Sequence, residues 1–223
     1  MNLKLFVSAI LKFSLGVLLV GALIFLPAWT LDFAGGWLLM GILFVPMFCA
    51  GIVMMIKNPS LLASRLDAKE KEREQNTVVK LSGLMFVVGF VLAGFDYRFE
   101  WIKMPFTVNI IAAIVFIAAY LIYAEVLREN TYLSRTIKVV EGQKVVSTGL
   151  YGIVRHPMYF ATVLLFLAIP LVLGSLISFV VFLAYPLIIA KRIRNEEEIL
   201  SRELEGYEEY KKKVKYRMLP FIW

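Results

Sequence analysis

One cysteine, Cys49, and one histidine, His156, are all that 223 residues provide of those two types. That scarcity excludes a disulfide framework, and a lone histidine with helix-end carboxylates makes no recognisable metal-ligand set. Charge is nearly absent from the long apolar runs, with Lys12 and Glu125 lying toward segment ends. A transporter or channel is expected to keep ionisable groups inside its spans, so that class is disfavoured. No small-residue cleavage motif follows the first apolar run, which favours a retained first span over a removable signal peptide. Internal repeats and low-complexity tracts are also missing.

What is present is hydrophobic: 60% of residues are apolar and 14% aromatic, against 18% charged. Soluble domains sit nearer about half apolar, so this composition belongs in a bilayer. Apolar segments cover residues 5–29, 36–56, 81–95, 106–126 and 158–190. Most approach the roughly 20 residues that a helix needs to cross about 30 Å of hydrocarbon. Isolated strands cannot satisfy their backbone in lipid, so the spans are expected to be helical. The last segment is too long for one helix, and Gly174-Ser175 near its midpoint reads as a turn. It is expected to form a hairpin of two arms of about 16 residues, roughly 24 Å each, either spanning or re-entrant. The expected fold is an all-α integral membrane protein with five to six transmembrane helices, a C-terminal helical hairpin and a helical tail.

The formal net charge is +7, but the basic residues are interleaved with acids and attached to membrane segments. Anionic lipid headgroups are therefore expected as partners, and nucleic acid is not. Basic residues gather in the loops that face the cytoplasm. With the N-terminus inside, residues 1–12, 57–80, 128–155 and 191–223 are cytoplasmic and hold 22 of the 24 Lys and Arg residues; Arg98 and Lys103 fall outside. An even number of crossings with both termini inside follows. The expected division is an N-terminal membrane part, 1–130, with a charged cytoplasmic loop at 57–80, and a C-terminal part, 131–223. The Lys/Glu-rich stretch at 65–74 reads as a solvated or interfacial helix, and Pro46 and Pro186 as kinks or tolerated prolines.

Two passages carry chemistry. The first is Gly149-Leu-Tyr-Gly-Ile-Val-Arg-His-Pro-Met-Tyr159, between apolar segments. Its glycines permit close backbone approach to a ligand, and Pro157 suits a helix first turn, whose N–H groups could meet a carboxylate. Equally, Tyr151, His156 and Tyr159 could be interfacial aromatics that anchor the helix. The second is Arg192-x-x-x-Glu196-Glu197-x-x-Leu200. Arg192 and Glu196, four apart, share a helix face and could form a plain solvated ion pair. Leu200, Leu204, Tyr207, Tyr210 and Val214 continue on roughly one side as packing, interrupted by Gly206.

Together with Gly206-Tyr-Glu-Glu-Tyr-Lys-Lys-Lys-Val-Lys-Tyr-Arg-Met-Leu-Pro220, these passages resemble the isoprenylcysteine carboxyl methyltransferase family, which includes phospholipid methyltransferases. The likeness covers about the last 90 residues in order and spacing. It implies an S-adenosylmethionine-dependent methyltransferase whose cofactor sits in a pocket that the cytoplasmic tail completes. By position, Gln143, Lys144, Val145, Val146, Tyr151, His156, Pro157, Met158, Tyr159 and Glu196 would bind the cofactor. Arg192 falls at the substrate-contacting arginine, and Arg192 and Glu196 would be the catalytic pair. No metal is implied. One departure is Ala161, where many members carry glycine.

The residues agree with such a ligand. A sulfonium, an ammonium and a carboxylate call for an acid, hydrogen-bond donors and aromatic faces. Methyl transfer chiefly needs alignment and exclusion of water. A carboxylate acceptor, already ionised, could be held bidentately by Arg192. An amine acceptor would need a base, for which Glu197 or Glu198 is the candidate. The expected acceptor is lipophilic or prenylated, as for a protein-S-isoprenylcysteine O-methyltransferase; a phospholipid amine or another small hydrophobic acid or thiol is the alternative. A non-catalytic membrane scaffold is the reading from a different class.

Overall fold

The computed structural model describes residues 3–66, 73–133 and 139–223. Among the described residues there are nine α-helices and a 3-10 turn, and no strand. α1 (Leu3–Ala28), α2 (Ala34–Lys57), α4 (Arg73–Phe99) and α5 (Phe106–Glu129) each carry a stretch long and apolar enough to cross a membrane. A fifth such stretch runs over Leu176–Glu203. α3 (Pro59–Leu66) is short, and Lys12 Nζ of α1 donates to its Leu66 carbonyl at 2.8 Å. The charged stretch at 65–74 lies for the most part outside the described residues. The protein is thus an all-α membrane protein.

Exposed Leu11, Leu15 and Leu18 on α1, and Val45, Ile52 and Ile56 on α2, present an apolar surface suited to lipid tails. The main interior cluster includes Ile24, Leu39, Phe116, Ile169, Phe182 and Ile193. α5 packs along α6 (Pro157–Val172), α1 along α4, and α4 also meets α7 (Leu176–Phe182) and α8 (Ala184–Glu203). Gly89 allows the contact between α4 and α7, since a Cβ there would overlap the Phe182 ring.

The C-terminal segment does fold back on itself, with an asymmetry that its apolar pattern hides. α6 has 16 residues and ends at Val172; the chain then turns at Gly174, whose φ of 76° is open to glycine at little cost. Ser175 then caps α7, its hydroxyl accepting from the Ser178 N–H at 3.1 Å. Asn109 of α5 donates to the Val172 carbonyl at 3.0 Å and ties this turn to the bundle. The returning arm is two helices, because α7 stops at Phe182 and α8 starts at Ala184. Pro186 explains the break: it lacks an N–H, and its ring collides with the carbonyl of the residue four earlier. Pro46, in contrast, stays within α2. α8 then continues through the charged run to Glu203, which puts Arg192 and Glu196 on the same helix as the apolar arm.

Candidate active site

The site is held by an ionic hub behind it. Glu197 of α8 is 4% exposed. Its Oε1 accepts from Arg155 Nε at 2.6 Å and lies 3.3 Å from His156 Nε2, while its Oε2 accepts from Arg217 Nε at 2.7 Å. Arg155 also donates to the Val214 and Lys215 carbonyls, at 2.8 and 2.9 Å. The backbone N–H groups of Arg155 and His156 donate to the Tyr216 and Arg217 carbonyls, at 3.0 and 2.8 Å. One carboxylate therefore joins the segment before α6, helix α8 and the tail. Buried cations without this anion would be costly, so the three segments are locked in one arrangement.

In front of the hub opens a cleft with about 820 Å³ of empty space, part of it open to solvent. Gln143, Lys144, Val145, Val146, Tyr151, His156, Met158, Tyr159, Arg192 and Glu196 all border it. Pro157 does not; it is buried at the first position of α6, after His156 as the N-cap residue. Ala161 is fully buried and away from the cleft, so its extra methyl bears on helix packing.

Tyr159 stands between the two charged residues of α8. Its hydroxyl donates to Glu196 Oε2 and accepts from Arg192 Nε at 2.9 Å. The pair is thus joined through a tyrosine from α6, and Arg192 is buried, unlike a partner in a solvated surface pair. Elsewhere on the cleft wall the Tyr151 hydroxyl accepts from Asn130 Nδ2 at 3.1 Å, and the Tyr210 hydroxyl donates to the Tyr151 carbonyl at 2.7 Å. Burial above all pushes the Tyr151 and Tyr210 hydroxyls up, so both stay neutral at physiological pH.

Three expectations are corrected. The 3-10 turn Gly149–Gly152 approaches Glu129, the last residue of α5: Leu150 N–H donates to its Oε2 at 3.1 Å, and a Cβ on Gly149 would overlap that carboxylate. Gly149 therefore serves a contact within the protein. The first turn of α6 offers less to an anion than expected, since Pro157 has no N–H and that of Tyr159 bonds the His156 carbonyl at 3.1 Å. Neither Glu197 nor Glu198 borders the cleft; the first is held by Arg155 and Arg217 and the second is exposed, so the structure does not bring either candidate base to the site.

The sequence reading missed part of the wall. Asn130, Tyr132 and Leu133, just past α5, border the cleft, as do Arg155, Leu200, Leu204, Tyr207 and Tyr210. The last four follow a helical spacing read as packing. They do pack, in a small cluster with Val214, and they also wall the cleft. A single spacing pattern carries both roles, which the spacing alone cannot separate.

Residues 106–202 match the family described as the isoprenylcysteine carboxyl methyltransferase (ICMT) family. Over 91 residues, 40% of this chain, the sequence is 30% identical to the Delta(14)-sterol reductase TM7SF2 of Mus musculus. The match spans 22% of that protein's length.

Proposed function

We propose that this chain, whose residues 106–202 match the isoprenylcysteine carboxyl methyltransferase family, is an integral membrane methyltransferase that uses S-adenosylmethionine to methylate the carboxylate of a lipophilic, prenyl-like acceptor. The observation that carries this is the cleft wall, where Glu196, Arg192, His156 and several tyrosines meet beside Val145 and Val146. These groups suit the cofactor: Glu196 complements its cationic end, and the hydroxyls and aromatic faces suit its nucleoside. Bound there, it would supply a methyl group on a sulfonium leaving group.

The chain's own residues do the rest. The hub around Glu197 fixes the part of the wall that α6 and α8 provide before any ligand arrives, so little ordering is left there for binding. Arg192, held at Nε by Tyr159, is placed to pair with a carboxylate acceptor. Such an acceptor is ionised at neutral pH and needs no base. Among the described residues Glu196 is the one carboxylate bordering the cleft, and Tyr159 already bonds it. That favours a carboxylate over a phospholipid amine, which must lose a proton. We place both termini and the cleft on the cytoplasmic side, from the Lys and Arg distribution.

Calorimetric titration of the detergent-purified protein with S-adenosylmethionine tests this. Saturable binding to the wild type, lost in Glu196→Ala, is the expected result. The absence of heat with a folded wild type would overturn it. A second reading, reduction of a sterol-like lipid, draws on the 30% identity to a sterol reductase over 91 residues. It requires a hydride donor to bind in place of S-adenosylmethionine.

A further inference from the structure

Tyr207 is 4% exposed and borders the cleft, and its hydroxyl is buried without a hydrogen-bond partner. A buried hydroxyl left unpaired costs about 1–3 kcal/mol. Its neighbour along α9 (Tyr207–Lys213) sharpens the contrast, because Tyr210 also borders the cleft yet spends its hydroxyl on the Tyr151 carbonyl at 2.7 Å. Tyr207 is thus a costly choice for packing, where phenylalanine would fill the same space. Its hydroxyl is also kept neutral: burial pushes it up first, then Glu197 and Glu196, so it can donate at any physiological pH.

The surroundings select what it donates to. Glu197 and Glu196 together act on this hydroxyl more strongly than Arg155 opposes them, so a ligand carboxylate is disfavoured beside it. Val145, Leu200 and Leu204 flank Tyr207 as an apolar wall suited to a flat ring. A neutral heteroaromatic acceptor meets both conditions. No water reaches the hydroxyl in this conformation, so seating such a ring requires α9 to shift slightly outward. Gly206, at φ 80°, is the joint before it. The cluster that holds α9 is small and separate from the main core.

We propose that Tyr207 is a cofactor-binding residue whose hydroxyl donates to a ring nitrogen of the adenine, seating the nucleoside half against Val145, Leu200 and Leu204. This rests on the S-adenosylmethionine reading above and assigns which end of the molecule lies under the tail.

Tyr207→Phe separates this from a structural role. Its unliganded melting temperature is expected to equal or exceed that of the wild type, because no partner is lost. Its affinity for S-adenosylmethionine is expected to fall roughly three- to tenfold. 5′-Methylthioadenosine, which keeps the adenosine and lacks the amino acid, should weaken by the same factor. Tyr210→Phe, which removes a hydroxyl that has a partner, should lower the unliganded melting temperature instead. Unchanged affinity in Tyr207→Phe, or a drop in its unliganded melting temperature, overturns the proposal, and so does loss for S-adenosylmethionine alone. A wild type that binds neither compound fails at the earlier step, in the methyltransferase reading itself.

Discussion

Glu197 and Glu196 are adjacent in sequence and opposite in role. Glu196 faces the cleft, and Glu197 turns away toward Arg155, Arg217 and His156. Removing the anion strands Arg155 and Arg217 where they are partly or wholly buried, at a cost of about 3–5 kcal/mol for a broken buried pair. Glu197→Gln is therefore expected to lower the melting temperature in detergent by many degrees, whereas Glu196→Gln leaves it near the wild-type value. Differential scanning fluorimetry of the two variants reads this directly, and equal stability would show that the hub holds nothing. The Arg-x-x-x-Glu-Glu pattern flagged both acids, yet nothing in it told which faced in. Their partners, Arg155 and Arg217, lie 42 and 20 residues away from Glu197. Only the folded chain assigns them.

At the scale of single elements, local signals read well where the chemistry is local. Gly174-Ser175 marked the turn, Pro157 the start of α6, and Gly206 the stop between α8 and α9. Pro186 was read as a kink or a tolerated proline, and it separates α7 from α8. Gly149 was noticed but given the wrong neighbour, because the carboxylate it admits comes from α5, 20 residues earlier. That contact makes a prediction. Gly149→Ala meets both a φ of 49°, which costs a side chain about 1–3 kcal/mol, and overlap with Glu129. Its thermal stability should fall, and Glu129→Ala in the same protein should recover the steric part but not the backbone part. A fully additive pair of losses would rule out the contact.

Across the whole molecule, the all-helical membrane fold followed from composition and run length, because lipid leaves the backbone few choices. The cleft did not follow so fully: its wall combines the end of α5, the 143–146 segment, α6, α8 and α9. Order and spacing suggested several of those residues, but the contribution of α5 had no signal of its own. The charge distribution carries one more prediction. In a Cys49→Ser background, a cysteine at Lys103 and another at Lys211 should react with an impermeant maleimide from opposite faces of the membrane. Labelling from the same face would refute the even-crossing arrangement.

The 16 residues of α6 rise about 24 Å, some 6 Å less than a typical hydrocarbon core. None of its residues is exposed, so neighbouring helices cover it and lipid tails do not meet it. A helix too short to match the bilayer is tolerated where protein shields it from the mismatch. His156 sits at its start and borders the cleft, so the depth of the opening is set by the bundle that encloses α6 and not by the thickness of the surrounding lipid.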